Sequence, residues 1–337
     1  MMDLFNDLLI LRMPGVGPVK YNGLLAQYGS VAAAVERLEV TQDLRDAVMR
    51  EIDMAQKQGI KFIHESDELY PRALKNVKNH PPVLTVRGNV SVLKHSCIGI
   101  VGTRHATATG MEFVAEMARA FVEHGVAVVS GMAMGTDTAA HVGALRANGI
   151  NNTIAVLAGG VDYIWPLENE KLYYEILERG AVVSEMPVGF IPKGTNFVQR
   201  NRIIAGMGDK LILSEADSNS GSMKTAGFAK QFNRQIYAIP SHPADSRAVG
   251  PNSLIRSGDA ILCQGIQDFF GETVKQKENK KNSESENEVL DKIGTIPLSE
   301  SVLTEIVGKN ISEIKRELIV LELQGLIRKQ DGGYVRC

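Results

Sequence analysis

"CIGIVGTRHAT", residues 97–107, is the stretch on which the fold turns. Cys97 to Val101 is apolar without alternation, the pattern of a strand covered on both faces. Gly102 ends the run, and Thr103, Arg104 and Thr107 lead into the helical pattern "GMEFVAEMARAFVEHG" (110–125). A strand that leaves through a glycine into a helix start gathers backbone N–H groups, here with a guanidinium beside them. That combination suits an anion.

The same unit repeats outward from this point. Apolar runs recur at "VAVVSG" (126–131), "TIAVLAGG" (153–160), "AVVSE" (181–185), "KLILSE" (210–215), "QIYAIP" (235–240) and "DAILC" (259–263), with helical patterns between them. Short continuous runs alternating with helices predict an α/β fold with a doubly wound, mainly parallel sheet across residues 66–271. Gly125 and Gly180 stand where helix C-caps belong. Residues 66–95, with "YPRALKNVKNHPPVLTVRGN", read as an irregular lead-in.

In an open parallel sheet, ligands lie outside the carboxyl ends of the strands. Four such ends carry glycines and hydroxyls: "GTRHAT" with Gly102, Thr103 and Arg104; "SGMAMGTD" with Ser130 and Gly131; "GGVDYIWP"; and "SEADSNSGSMKTA" with Ser220 and Ser222. Capping and turn chemistry accounts for any one of them. Four together, with Lys193, Arg200 and Arg202 nearby, point to polyanion binding. The first loop lacks G-x-G-x-x-G, and the second strand ends in Ser130-Gly131 where a ribose-binding acid would stand, so no NAD or FAD is expected, nor any other cofactor.

"FVQRNRIIAG" (197–206) sets Arg200 and Arg202 around Asn201 and follows them with an apolar run. A helix starting near Phe197 would hold both cations in its first turns, where the dipole disfavours each by a few tenths of a kcal/mol unless an anion or carboxylate is the partner. One arginine is then structural, paired with an acid such as Glu215 or Asp137. Lys193 and Phe197 suit the other to phosphate binding with base stacking, which is worth about 1 to 3 kcal/mol per base and tolerates any sequence. No Ser-His-Asp or H-E-x-x-H pattern surrounds His105 or His141. Asp137, Asp162 and Glu215 read as capping or ion-pairing carboxylates, with paired acids for hydrolysis as the alternative.

The rest of the chain bounds these expectations. Residues 1–65 read as a helical domain of SAM-like or helix-hairpin-helix type, whose "PGVGPVKYNGLL" turn is either a phosphate hairpin or an ordinary helix connection. "ETVKQKENKKNSESENE", inside 272–287 and its flanks, is too polar to fold alone and reads as a linker. Residues 288–337 show three short helices, a strand, a Gly-Gly turn and a strand, the pattern of a winged helix, with DNA binding and protein interaction equally open. Apolar residues at 44% and charged residues at 23% describe a globular protein. The net charge of -2 offers no global reason to bind nucleic acid, so the basic cluster must supply it. Cys97, Cys263 and Cys337 give neither a disulfide framework nor a zinc site. With no long apolar run and no leader, the expected location is the cytoplasm, with no membrane contact.

These motifs resemble the DNA-processing protein A (DprA, also called Smf) family. "GTRHAT" is similar to its G-S/T-R motif, "SGMAMGTD" to S-G-x-A-x-G-I-D, "GGVDYIWP" to G-x-G-x-D-x-x-Y-P, "FVQRNRIIAG" to F-x-x-R-N-R-I-I-A-G and "SGSMKTA" to S-G-S-x-x-T-A. The resemblance implies a Rossmann-like core that dimerises, binds single-stranded DNA without catalysis or metal, protects it and hands it to the RecA recombinase during natural transformation. It implies phosphate contacts from Arg104 and Lys193, a base stacked on Phe197, and Arg200 and Arg202 lining the pocket. Thr136, Trp165 and Ser241 depart from the family pattern. A nucleotide-acting, phosphoribohydrolase-like enzyme is the alternative; the P-G-G-x-G-T loop of such enzymes is not supplied by "AGGVDYIWP".

Overall fold

The apolar runs become the strands of one nine-stranded sheet, ordered β1-β2-β6-β5-β4-β3-β7-β8-β9. In the computed structural model, which describes residues 2–271, 288–294, 296–330 and 332–336, helices α1 (Met2–Leu11), α2 (Pro18–Tyr28), α3 (Val31–Arg37) and α4 (Gln42–Lys57) precede β1 (Lys61–His64). The chain continues through α5 (Arg72–Lys75), β2 (Val83–Gly88), β3 (Cys97–Val101), α6 (Ala108–Glu123), β4 (Ala127–Ser130), α7 (Thr136–Arg146) and β5 (Thr153–Val156). It closes the layer with α8 (Glu170–Arg179), β6 (Ala181–Ser184), α9 (Gly194–Met207), β7 (Lys210–Leu213), α10 (Gly221–Gln231), β8 (Gln235–Ala238), α11 (Val249–Ser257), β9 (Ile261–Leu262) and α12 (Gln267–Phe270).

From β3 to β9 every pairing is parallel, while β2 joins β6 antiparallel and β1 joins β2 antiparallel. The chain winds from β3 outward to β6, then returns to the other side of β3 for β7, which makes the gap between β3 and its neighbours the switch point of the sheet. Alternate side chains serve opposite faces. Ile98 and Ile100 pack with Val114, Met117 and Phe121 of α6, whereas Cys97 and Val101 pack on the face that holds Ile203 and Ile204 of α9. A third cluster joins Ala155 and Val182 to Tyr173 and Ile176 of α8. Each fully buried Val, Ile, Met or Phe among them contributes about 1.5–3 kcal/mol.

Two sequence expectations need correction. The lead-in at 66–95 contains β2, "VLTVRG", whose Val83 to Val86 are buried; the prolines before it and Thr85 and Arg87 within it hid an edge-side antiparallel strand. The sheet also begins at Lys61, inside the span read as helical. Helices α1 to α4 share one compact unit, Met1–Gly271, with the sheet. Arg12 makes two hydrogen bonds to Glu51, at 2.8 and 2.7 Å, and Glu51 Oε1 also accepts from the Val188 amide at 3.2 Å, tying the helices to a loop of the core.

The second unit is Glu272–Cys337. The linker expected at 272–287, and Cys337, lie outside the described residues. In this unit α13 (Glu288–Lys292), α14 (Glu300–Val307) and α15 (Ile311–Leu323) bury Leu290, Leu303, Ile314, Leu318 and Leu321 together. Antiparallel β10 (Ile327–Gln330) and β11 (Gly333–Arg336) form the wing, and Leu298 bridges to Tyr334 beside them. This is the winged helix read from the sequence. Among the described residues no helix is long and apolar enough to cross a membrane.

Candidate nucleic-acid interface

An open cleft of about 500 Å³ lies at the carboxyl ends of the strands around the switch point. The loop after β3 forms one wall. Gly102 packs so closely on α7 that a Cβ there would sit 2.4 Å from Thr136 Oγ1. The Thr103 amide donates to the Glu215 carbonyl at 2.6 Å, and its own carbonyl accepts from the Thr136 amide at 3.1 Å. Thr107 caps α6 by accepting from the Gly110 amide at 2.9 Å, while its own amide and hydroxyl both donate to the Glu215 carboxylate. Held at both ends, the loop carries Arg104 exposed at its tip.

Arg104 does not hang free. Its guanidinium carbon lies 4.9 Å from the centre of the Trp165 ring and 5.9 Å from that of Phe197. The two rings meet edge to face, 4.5 Å apart and inclined by 62°. A cation over an aromatic face gains about 0.5 to 2 kcal/mol, so the trio forms a corner of one charge and two π-faces on the cleft. In sequence, Trp165 stands out only as a departure from the family motif. Its part in the site comes from a loop beyond β5 folding over α9, which no local pattern reports.

Helix α9 forms the opposite wall and begins at Gly194, a turn before the Phe197 start expected from sequence. Arg200 and Arg202 therefore lie beyond the first turn, out of reach of the dipole argument made for them. What holds them is burial beside acids. Arg200 is buried in the cleft floor, where its Nη1 donates to the Gly131 carbonyl at 2.6 Å and also to the Val156 carbonyl. A side chain on residue 131 would not fit, since its Cβ would sit 2.4 Å from that same Nη1. Burial lowers the Arg200 pKa to about 10, partly opposed by the nearby Asp137 carboxylate, so the cation persists at neutral pH. Asp137 is raised by burial, with Arg200 and the Ala133 amide pulling the other way.

Arg202 faces away. It pairs with Glu185, donates to the Asn79 carbonyl at 3.3 Å, and borders a different cavity of about 550 Å³ against Arg12, the Gly15–Pro18 turn and Met186. Burial raises Glu185, and Arg202 is the main charge opposing that rise. The family-implied place for Arg202 in the pocket is thus corrected: with α9 helical there, residues two apart point to different sides.

The cleft is lined by eight residues named from sequence: Gly102, Thr103, Arg104, Phe197, Arg200, Asn201, Ser220 and Ser222. Asn201 Nδ2 donates to the Gly221 carbonyl at 3.1 Å, and Ser220 caps α10 by accepting from the Met223 amide, so the start of α10 faces the cleft. Ser130 and Gly131 lie beneath it; the Ser130 hydroxyl donates to the Ile100 carbonyl at 2.7 Å. Lys193 is exposed just before α9, where its amide donates to Asn196 Oδ1 at 2.8 Å, adjacent to the lining residue Gly194.

The other titratable candidates have internal work. Asp162 accepts from the Gly189 amide at 2.8 Å, and Glu215 holds Thr107 and not an arginine. His141 is fully buried. Thr153 Oγ1 donates to the Val128 carbonyl at 2.8 Å, so it accepts from His141 Nδ1 at 2.7 Å, and burial, with Arg200 second, pushes the imidazole down to about 3. His105 borders the cleft and offers its carbonyl to Arg247 at 3.1 Å. Among the described residues no three His, Cys, Asp or Glu side chains are grouped to hold a metal.

Residues 61–274 match the model of "DNA recombination-mediator protein A", residues 275–333 a DprA winged helix domain and residues 2–61 a DprA-like N-terminal HHH domain. The chain is 36% identical to Protein Smf of Synechocystis over 247 residues, 72% of this chain and 56% of that protein, a little over half the relative's length. It superposes on the DNA processing protein A of Streptococcus pneumoniae with a TM-score of 0.63 at 31% identity, covering 79% of this chain and 93% of the other. The Helicobacter pylori protein of that name, solved for its single-stranded DNA binding mode, gives a TM-score of 0.57 at 29% identity, covering 62% and 93%. With all three of its segments matched by models of one family, and the strand-end motifs gathered on one cleft, the chain belongs to the DNA processing protein A family.

Proposed function

We propose that the chain binds single-stranded DNA in this cleft and acts as a recombination mediator without turning over a substrate. The observation that carries the proposal is the exposed guanidinium of Arg104 set against two aromatic rings over an open cleft: a charge for a phosphate beside faces for a base. A duplex hides its bases in the stack, whereas an unpaired strand presents both groups at once. Family membership and the single-stranded DNA binding named for the Helicobacter pylori relative add support. Delivery of the strand to RecA, protection from nucleases, action as a homodimer in the cytoplasm, and independence of metal or cofactor complete the proposal. Lys193, exposed at the cleft edge, supplies a second phosphate contact.

The test is fluorescence anisotropy of labelled oligo-dT with the intact chain and with Arg104→Ala and Lys193→Ala, across a salt series. Preference for single strands over duplex, weakened by both substitutions, with a log–log salt slope of about -0.7 per phosphate contacted, is the expected result. Equal affinity in wild type and both variants would move the DNA to another surface.

A further inference from the structure

A separate cavity of about 420 Å³ opens where β7, β8 and β9 end, against the first turns of α6. Small-molecule sites run to roughly 300–1,000 Å³, so a compact ligand fits. Phe113, Ile239 and Pro240 give it apolar walls, and Ser214, Glu215 and Asp245 polar ones. Among the described residues that line it there is no lysine or arginine, and Arg247, which pairs with Asp245 at 2.7 Å, is also held by the His105 carbonyl at 3.1 Å. Two carboxylates with no free cation repel a phosphate. The ligand that suits this lining is uncharged and brings N–H donors. Glu215 is 7% exposed and accepts one hydrogen bond on each carboxylate oxygen, from the Thr107 hydroxyl on Oε1 and from the Thr107 amide on Oε2 at 2.8 Å. A carboxylate has about four acceptor positions, so one on each oxygen stays open. Ser214 is 2% exposed, yet its hydroxyl has no hydrogen-bond partner among the described residues, where a buried hydroxyl ordinarily finds one.

We propose that this cavity binds a guanine base, whether of a free nucleoside or of an unpaired strand. Guanine is the base whose pairing edge sets two donors side by side, N1–H and the 2-amino group, and these match the two open positions on Glu215. Adenine and cytosine set an amino group beside a ring acceptor, and thymine sets N3–H between two carbonyls. Each of those would bring a lone pair against the carboxylate. The O6 and N7 acceptors of guanine give the Ser214 hydroxyl the partner it lacks, and the flat ring packs on Phe113. The site lies apart from the DNA cleft and does not rest on the reading of that cleft.

The experiment is isothermal titration of the full chain with guanosine, inosine and adenosine. Inosine lacks only the 2-amino group and is expected to bind about threefold to tenfold more weakly than guanosine, the worth of one hydrogen bond; adenosine should bind more weakly still. Thr109→Trp plugs the mouth from an exposed position on α6 and should abolish guanosine binding. Ser214→Ala should weaken it about threefold to tenfold. Unchanged urea midpoints show that both variants are folded. The source of the base is read with oligo-dT carrying one dG. A gain in affinity over plain oligo-dT that is lost in Thr109→Trp assigns the cavity to a strand, whereas guanosine binding with no gain from dG assigns it to a free nucleoside. Equal binding of guanosine, inosine and adenosine overturns the guanine assignment. Guanosine binding that survives Thr109→Trp overturns the site, placing the base elsewhere, and so does an absence of any response to both guanosine and dG.

Discussion

The Arg104 guanidinium sits 4.9 Å above the ring of Trp165, the only tryptophan in the chain. Any strand that engages Arg104 must therefore disturb the single indole emitter. Adding oligo-dT is expected to change the intrinsic fluorescence with the same midpoint as the anisotropy titration, and Trp165→Leu should weaken binding by about 1 kcal/mol or more, with Trp165→Phe intermediate. Emission that stays constant while anisotropy saturates would place the strand elsewhere.

Arg104 and Arg202 should separate binding from stability. Arg104 is exposed, so Arg104→Ala lowers stability by no more than the about 0.5–1 kcal/mol of an exposed cation–π contact and costs DNA affinity. Arg202→Ala leaves the half-buried Glu185 carboxylate without its ion-pair partner, a loss of about 1.5–3 kcal/mol of stability, while oligo-dT affinity of the folded protein stays within about twofold, because its phosphate contacts are untouched. Equal affinity losses in the two variants would refute the assignment of Arg202 to the far side of α9.

Gly131→Ala drives a methyl group into the Arg200 guanidinium. Overpacking of this kind costs about 1–3 kcal/mol, measurable by urea denaturation. In an Arg200→Ala background the same substitution should be almost silent, and the difference between the two costs is the coupling of the pair. Additive losses would mean that the glycine serves its own backbone and not the arginine.

Acid should weaken the protein through His141. The imidazole is held near pKa 3 in the folded chain and returns to about 6.5 when unfolded. Above about pH 6.5 neither state binds this proton and its contribution is constant; as pH falls below that value only the unfolded chain takes the proton up. Stability then drops by up to about 1.4 kcal/mol per pH unit toward pH 3. In His141→Gln, unfolding free energies between about pH 7 and 5 should show a shallower slope than wild type. Parallel slopes would locate the acid sensitivity in other groups.

What sequence made legible follows from which forces are local. The strands from Cys97 onward were readable because burial on both faces demands unbroken apolar runs; the helix caps Thr107 and Ser220 were noticed only as loop hydroxyls. Strand β2 was not readable, because on the antiparallel side of the sheet it carries Thr85 and Arg87 and follows two prolines. The partners of the arginines were only half readable. Asp137 was one of two acids named for whichever arginine is structural, the other, Glu215, holding Thr107 instead, and Glu185 lies 17 residues before Arg202 in the chain and meets it only after β6 and α9 have packed. Trp165 was noticed as a substitution within a motif, and only the fold of its loop over α9 gives it a place beside Arg104.

The position of the cleft at the switch point bears on synthesis. Its walls come from the loop after β3 near residue 102 and from the start of α10 near residue 221, on opposite halves of the winding. A chain emerging from the ribosome has β3 to β6 available long before β7 and α10 can close beside them, so no nascent fragment ending before α10 presents the assembled site. The protein becomes competent to hold a strand in one late step, with most of its sheet already made.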